Sequence, residues 1–263
     1  MALDDQKTLC VVTGASRGIG REVALQLSDR IGPNSAMIIS ARNSEKLNAV
    51  RQEVCQRNSQ LTVLCIEQDL AVEFNGTKFE SKLRELIKSH GRFDTAVIVH
   101  NAGTLGCLDK PCQETSSSSS WHTYLQINLV SMIQLNCVFL NVVSANVAKR
   151  RCVINMSSLM AVQAMPCFAQ YCVGKAARDA YMNVLASEQE SLRVLNYAPG
   201  PIQTDMFETI ISEAHQEKTR SAFQDMKSGQ KVLSATQTVN KLINLINEDT
   251  FQSGAHIDYF DIV

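Results

Sequence analysis

The chain has 263 residues, of which 45% are apolar and 19% charged, and its formal net charge is -1. That balance belongs to a folded globular chain and excludes a largely disordered one, while no Lys/Arg run resembles a nucleic-acid footprint or a membrane-surface patch. Residues 1–8 lack the basic and apolar stretches of a signal peptide and no apolar run reaches a membrane span, so a cytoplasmic protein is expected, with small-molecule or protein partners and neither nucleic acid nor membrane among them.

Nine cysteines, an odd number without a C-x-x-C pair, read as reduced thiols, and no metal is expected. Cys172 alone is a candidate for a reactive thiol, because it neighbours the tyrosine discussed below.

In chain order, short apolar runs rich in β-branched residues alternate with longer amphipathic segments. Strands are expected at 9–13, 36–40, 61–67, 95–100, 152–156, 193–197 and 256–260, and helices at 20–28, 44–57, 79–89, 122–148, 170–187 and 236–247, capped at Ser44 and Thr236. No compositional break divides 1–263, so one α/β domain is expected: a seven-stranded parallel sheet with helices on both faces.

The first strand runs into Gly14-Ala15-Ser16-Arg17-Gly18-Ile19-Gly20, which opens the first helix. Glycines there allow a sharp turn, backbone approach to a pyrophosphate and close helix packing, and the helix N-terminus favours an anion. The turn after a first strand and before a second is the Rossmann-type, doubly wound arrangement for a dinucleotide.

The second strand ends in Ser40-Ala41-Arg42-Asn43. An NAD site usually has an acid there for the ribose hydroxyls, whereas a guanidinium clamps a 2′-phosphate, and Arg17 adds a second cation, so NADP (NADPH) is the expected cofactor. Asp69-Leu70 ends the third strand, where Asp69 either accepts from the adenine amino group or caps the next helix. His100-Asn101 ends the fourth strand, and His100 reads as a core imidazole. The serine run 116–120 reads as a solvated lead into a helix, and 204–229, after the sixth strand, as a candidate mobile lid.

Tyr171 and Lys175 lie four residues apart, hence on one helix face, and a cation beside a phenol lowers its pKa towards the range useful for proton transfer. Ser158, thirteen residues before Tyr171, is placed to bond a substrate oxygen. Together these residues favour carbonyl reduction by hydride and proton transfer.

With the glycine turn, Asn101-Ala102-Gly103, Asn128, Ser158, Tyr171-x-x-x-Lys175 and Pro199-Gly200, the chain resembles the short-chain dehydrogenase/reductase family over nearly its whole length. The resemblance implies Tyr171 as general acid/base, Lys175 as nicotinamide-ribose ligand, Ser158 as carbonyl holder and Asn128 as support for a relay water. It also implies cofactor contacts from Asn101, Ile202, Thr204, Asp205 and Met206, substrate contacts from Leu159 and Gly200, and a homodimer paired through the helices of Asn128 and Tyr171. The family commonly has a second asparagine where this chain has His100. The segments 171–179, 195–201 and 253–258 further resemble its pterin-reducing branch, which implies a pterin substrate anchored by Asp258; otherwise Asp258 reads as a turn cap. A general carbonyl or diketone reductase and a non-catalytic NADP-sensing protein are the alternatives.

Overall fold

Strands β1 (Thr8–Thr13) and β2 (Ala36–Ala41) are buried at every position. They are continuous apolar runs because a parallel sheet covered on both faces has no wet side. The computed structural model describes residues 3–72, 74 and 76–262. Its other strands are β3 (Thr62–Glu67), β4 (Phe93–His100), β5 (Ala148–Met156), β6 (Leu192–Ala198) and β7 (His256–Asp258), and all seven form one parallel sheet in the order β3-β2-β1-β4-β5-β6-β7. Val11 pairs with Ile38 on one side and Ile98 on the other.

The helices are α1 (Gly18–Ser28), α2 (Ser44–Arg57), α3 (Gly76–His90), α4 (Ser118–Leu125), α5 (Ser131–Val142), α6 (Ala169–Glu188), α7 (Asp205–Glu213), α8 (Glu217–Ser228) and α9 (Ala235–Glu248). Alternation along β1 sends Cys10 and Val12 into the core beneath α1, α2 and α9, and Leu9 and Val11 into the core beneath α3, α5 and α6. A third apolar cluster joins α7 and α8 to Leu105, Leu108 and Phe168. Strand order reverses between β1 and β4, and ligands bind above the C-terminal ends of strands at such a reversal.

Several expectations are corrected. The helix expected over 122–148 starts earlier, at Ser118, is interrupted by a π-turn at Gln126–Val130 and ends at Val142, because 148 already begins β5. Ser118–Val142 is also long and apolar enough to cross a membrane by length and composition, contrary to the expectation, although Met132, Leu135 and Phe139 bury its inner face on the sheet. Asn43, not Ser44, caps α2 by accepting from Lys46 N–H, and Ser234, not Thr236, caps α9 in a reciprocal box with Gln237. The 204–229 segment contains two helices, with Thr204 capping the first.

Candidate active site

Gly14 and Gly18 take positive φ of 65° and 55°, which a side chain would strain. A Cβ on Gly14 would also stand 2.9 Å from Asn101 Nδ2. That amide donates to the carbonyls of Thr13 (3.0 Å) and Gly14 (3.2 Å), and Asn101 N–H donates to Thr13 Oγ1 (3.0 Å). The end of β4 thus fixes the turn after β1. The first turn of α1 has neither an acidic residue nor a side-chain cap, so its amides are available to a phosphate.

A cleft of about 580 Å³ opens above this turn. Gly14, Ser16, Arg17, Gly18, Ile19, Arg42, Asn43, Asp69, Leu70, Asn101, Thr204, Asp205, Met206, Tyr171 and Lys175 line it. Of the expected cofactor residues, Ala15, Gly20 and Ile202 lie behind the wall. Arg17 pairs with Asp205 across the cleft, tying the glycine turn to the start of α7. Arg42 is exposed at the adenosine end, and Lys46, one helical turn further on, faces the same space. Spacing alone hid Lys46, which reads as an ordinary surface lysine until α2 places it beside Arg42. Asp69 Oδ1 accepts from Ala71 N–H at 3.0 Å, a turn-forming bond, and the residue lines the cleft. These donors and glycine backbones fit a dinucleotide: cations at one end, free amides in the middle, and Tyr171 with Lys175 at the other.

Ser158 follows β5 and caps a 3₁₀ turn, accepting from Met160 N–H at 3.2 Å. Its hydroxyl lies near enough to the Tyr171 phenol to act on it. Lys175 is buried, donates to the Met156 carbonyl, and lies 5.4 Å from the centre of the Tyr171 ring. Burial holds the Tyr171 phenol above its ordinary value, and the nearby Ser158 hydroxyl and the Arg178 charge oppose that rise. The expectation that Lys175 brings this phenol down is therefore not met in this geometry, where desolvation dominates. Burial, then the Arg178 charge, pushes the Lys175 ammonium well below its usual range, and Asp179 opposes them.

Asn128 is buried in the π-turn; its Oδ1 accepts from Thr104 N–H (2.8 Å) and its Nδ2 donates to Tyr124 O (2.9 Å). Among the expected substrate residues, Leu159 is 47% exposed and stands clear of the cleft wall, as do Ser158, Gly200 and Asp258. Asp258 Oδ1 accepts from Phe260 N–H at 3.0 Å, so the carboxylate does cap the turn after β7. His100 is a core imidazole bonded to Asn136 Oδ1 at 3.1 Å. All nine cysteines are free thiols, Cys172 half-buried.

The residue reading missed Arg178 and Asp179. Arg178 is buried and donates to the carbonyls of His100, Ala102 and Asn128 and to Asn155 Oδ1, joining four segments behind the cleft. A fully buried Arg-Asp pair inside a helix has no local signature; its partners come from distant strands.

A doubly wound sheet with a dinucleotide turn at its reversal, Tyr171 and Lys175 on the same rim and Ser158 just past the end of β5 defines an NAD(P)-dependent oxidoreductase. Residues 8–215 match the short chain dehydrogenase family, and the chain belongs to the short-chain dehydrogenase/reductase family. It is 37% identical over 254 residues to the sepiapterin reductase of Rattus norvegicus, covering 97% of each chain. It is 34% identical to that of Xenopus laevis, covering 96% of this chain and 95% of the relative. Among solved structures, the KRED1-Pglu enzyme superposes with a TM-score of 0.80 at 22% identity, covering 95% of this chain and 100% of the other. A short chain dehydrogenase from Shigella flexneri 2a str. 301 complexed with NADP superposes with a TM-score of 0.76 at 26% identity, covering 98% of each.

Proposed function

We propose that this chain is an NADPH-dependent sepiapterin reductase, reducing side-chain carbonyls of pterins such as sepiapterin and 6-pyruvoyl-tetrahydropterin in tetrahydrobiopterin formation. The observation that carries the reading is likeness to sepiapterin reductases along nearly the whole chain, at 34 to 37% identity, with Tyr171 and Lys175 lining one end of one cleft and Ser158 near the Tyr171 phenol. NADP is favoured over NAD because Arg42 and Lys46 stand where an acid would repel a 2′-phosphate.

When bound, the reduced nicotinamide supplies the hydride. Ser158 Oγ holds the substrate carbonyl and Tyr171 Oη donates the proton as the carbonyl oxygen gains charge; burial that keeps the phenol protonated suits a proton donor. Lys175 holds the nicotinamide ribose, and the Arg178 charge favours the phenolate left behind. Asn128, locked by Thr104 and Tyr124, supports the water that returns the proton. Asp258 keeps one oxygen for the pterin's 2-amino and ring N–H groups while the other holds its turn. Exposed Val130, Val173 and Val184, on the π-turn and α6, support a homodimer through those elements.

Steady-state NADPH oxidation with sepiapterin beside a non-pterin diketone tests this. A clearly higher kcat/KM for sepiapterin is expected. A preference for the diketone would make the chain a general carbonyl reductase, and no oxidation with either would make it a nucleotide-binding protein.

A further inference from the structure

Tyr124, near the end of α4, is buried, and two glycines make room for its ring. A Cβ on Gly106 would stand 2.9 Å from Tyr124 Cδ2, and a Cβ on Gly174 would stand 2.8 Å from Cε1 and closer still to the phenol oxygen. Cδ2 and Cε1 lie across the ring from each other, so the ring is held by opposite edges between the loop after β4 and helix α6, and a retreat from one drives it onto the other. Gly174 stands three residues after Tyr171 and immediately before Lys175, and the Tyr124 phenol takes the space its side chain would fill. The backbone of the same residue holds Asn128, whose Nδ2 donates to Tyr124 O at 2.9 Å. The loop is fixed on both flanks: Thr104 N–H donates to Asn128 Oδ1 at 2.8 Å, and Cys107 N–H donates at 2.8 Å to Oε1 of Gln170, the neighbour of Tyr171. Tyr124 thus meets the helix of the proton donor with its ring and the relay asparagine with its carbonyl.

We propose that Tyr124 is a positioning residue, a spacer whose ring, set between Gly106 and Gly174, fixes the separation of Asn128 from Tyr171 and Lys175. Spacing matters because a proton moves only between groups within hydrogen-bond reach, directly or through one water, and a misplacement of about 1 Å can cost roughly 10²-fold. Tyr124 does not exchange the proton itself, since burial, and then the neighbouring Tyr171, hold its phenol well above its ordinary value. Its importance for turnover rests on the roles proposed above for Tyr171 and Asn128, and any carbonyl that the enzyme reduces reports it.

The test is a double-mutant cycle of Gly174→Ala and Tyr124→Leu, with kcat per NADPH-binding site, the KM for NADPH and the solvent deuterium isotope effect measured for each holoenzyme. Alanine suits a helix better than glycine, so Gly174→Ala changes α6 little except by striking the Tyr124 ring. Its kcat is expected to fall about tenfold or more, with KM for NADPH within about twofold and a larger solvent isotope effect, because return of the proton becomes limiting. In the Tyr124→Leu background the same alanine should cost less than about twofold, since the ring it would strike is gone. Equal losses in both backgrounds, or full activity in Gly174→Ala, would overturn the proposal, and so would a lower kcat with an unchanged isotope effect, which would leave Tyr124 a packing residue. Should Gly174→Ala fail to fold, Tyr124→Leu decides alone by the same isotope effect. Tyr171→Phe is run beside them: full activity there would remove Tyr171 from the chemistry and the spacer with it, whereas an inactive Tyr171→Phe with an additive cycle strikes the spacer alone.

Discussion

At the scale of single residues, the proposed preference for NADPH rests on Arg42 and Lys46, which lie four residues apart at one end of the cleft. Exchanging Arg42 for Asp places an anion where a 2′-phosphate would sit. Affinity for NADPH is expected to fall by roughly ten- to a hundredfold, the range for a lost charge-assisted contact, with NADH little changed. Equal losses for both dinucleotides, read by fluorescence titration, would show that Arg42 does not discriminate them. Tyr171→Phe keeps the ring that packs edge-on against Phe168 (centroids 6.2 Å apart) and removes only the hydroxyl. Turnover should drop by about 10² or more with NADPH affinity nearly intact. Full activity in the variant would move the proton donor to another group.

Among the elements, α9 closes the core beneath β1 and packs against α1, and its N-terminus is held by Ser234 and Gln237 in a reciprocal capping box. Ser234→Ala leaves the packing face untouched, so it should destabilise the fold by about 1 kcal/mol, visible as a lower denaturation midpoint at unchanged slope. A change in slope would point to a different unfolded state instead. That cap also shows where reading the chain stops short. Thr236 and Ser44 are chemically apt caps, and only the backbone decides that Ser234 and Asn43 take the role. The strands were legible because burial on both faces writes an unbroken apolar run. Helix α8 was not, since its polar face dominates and only Thr219 and Phe223 are buried in it. The glycine turn and the Ser-Tyr-Lys set were legible because their spacing is local. Lys46 and the Arg178-Asp179 network were not, because what they face is supplied by other parts of the chain.

Across the whole molecule, two histidines give stability opposite dependences on pH. Burial, followed by the Arg178 charge, pushes His100 down to about 3. The unfolded chain, titrating near 6.5, therefore binds a proton that the folded state refuses. Stability on this account is complete above about pH 6.5 and declines as pH falls towards 3, by up to roughly 5 kcal/mol. His256 is raised by its bond to Asp179, so its contribution is present below about 6.5 and is lost as pH rises through the elevated value. His100→Asn, which restores the residue common in the family, should flatten the acid side in chemical denaturation at pH 4 to 7. An unchanged acid slope would locate the sensitivity elsewhere.

The hydrogen bonds from Asn101 to Thr13 and Gly14 join residues 88 and 87 positions apart. Every glycine of the dinucleotide turn lies within the first β-α-β unit, yet the turn takes its shape only when β4 has docked beside β1. During folding the nucleotide site must therefore wait for the closure of a long loop, a slow event compared with the formation of α1 or of the β1–β2 pair. A peptide spanning residues 3–72 would carry the whole motif and hold no nucleotide. Nucleotide added to a refolding chain would capture the docked sheet late, raising the yield of native protein without hastening the first steps.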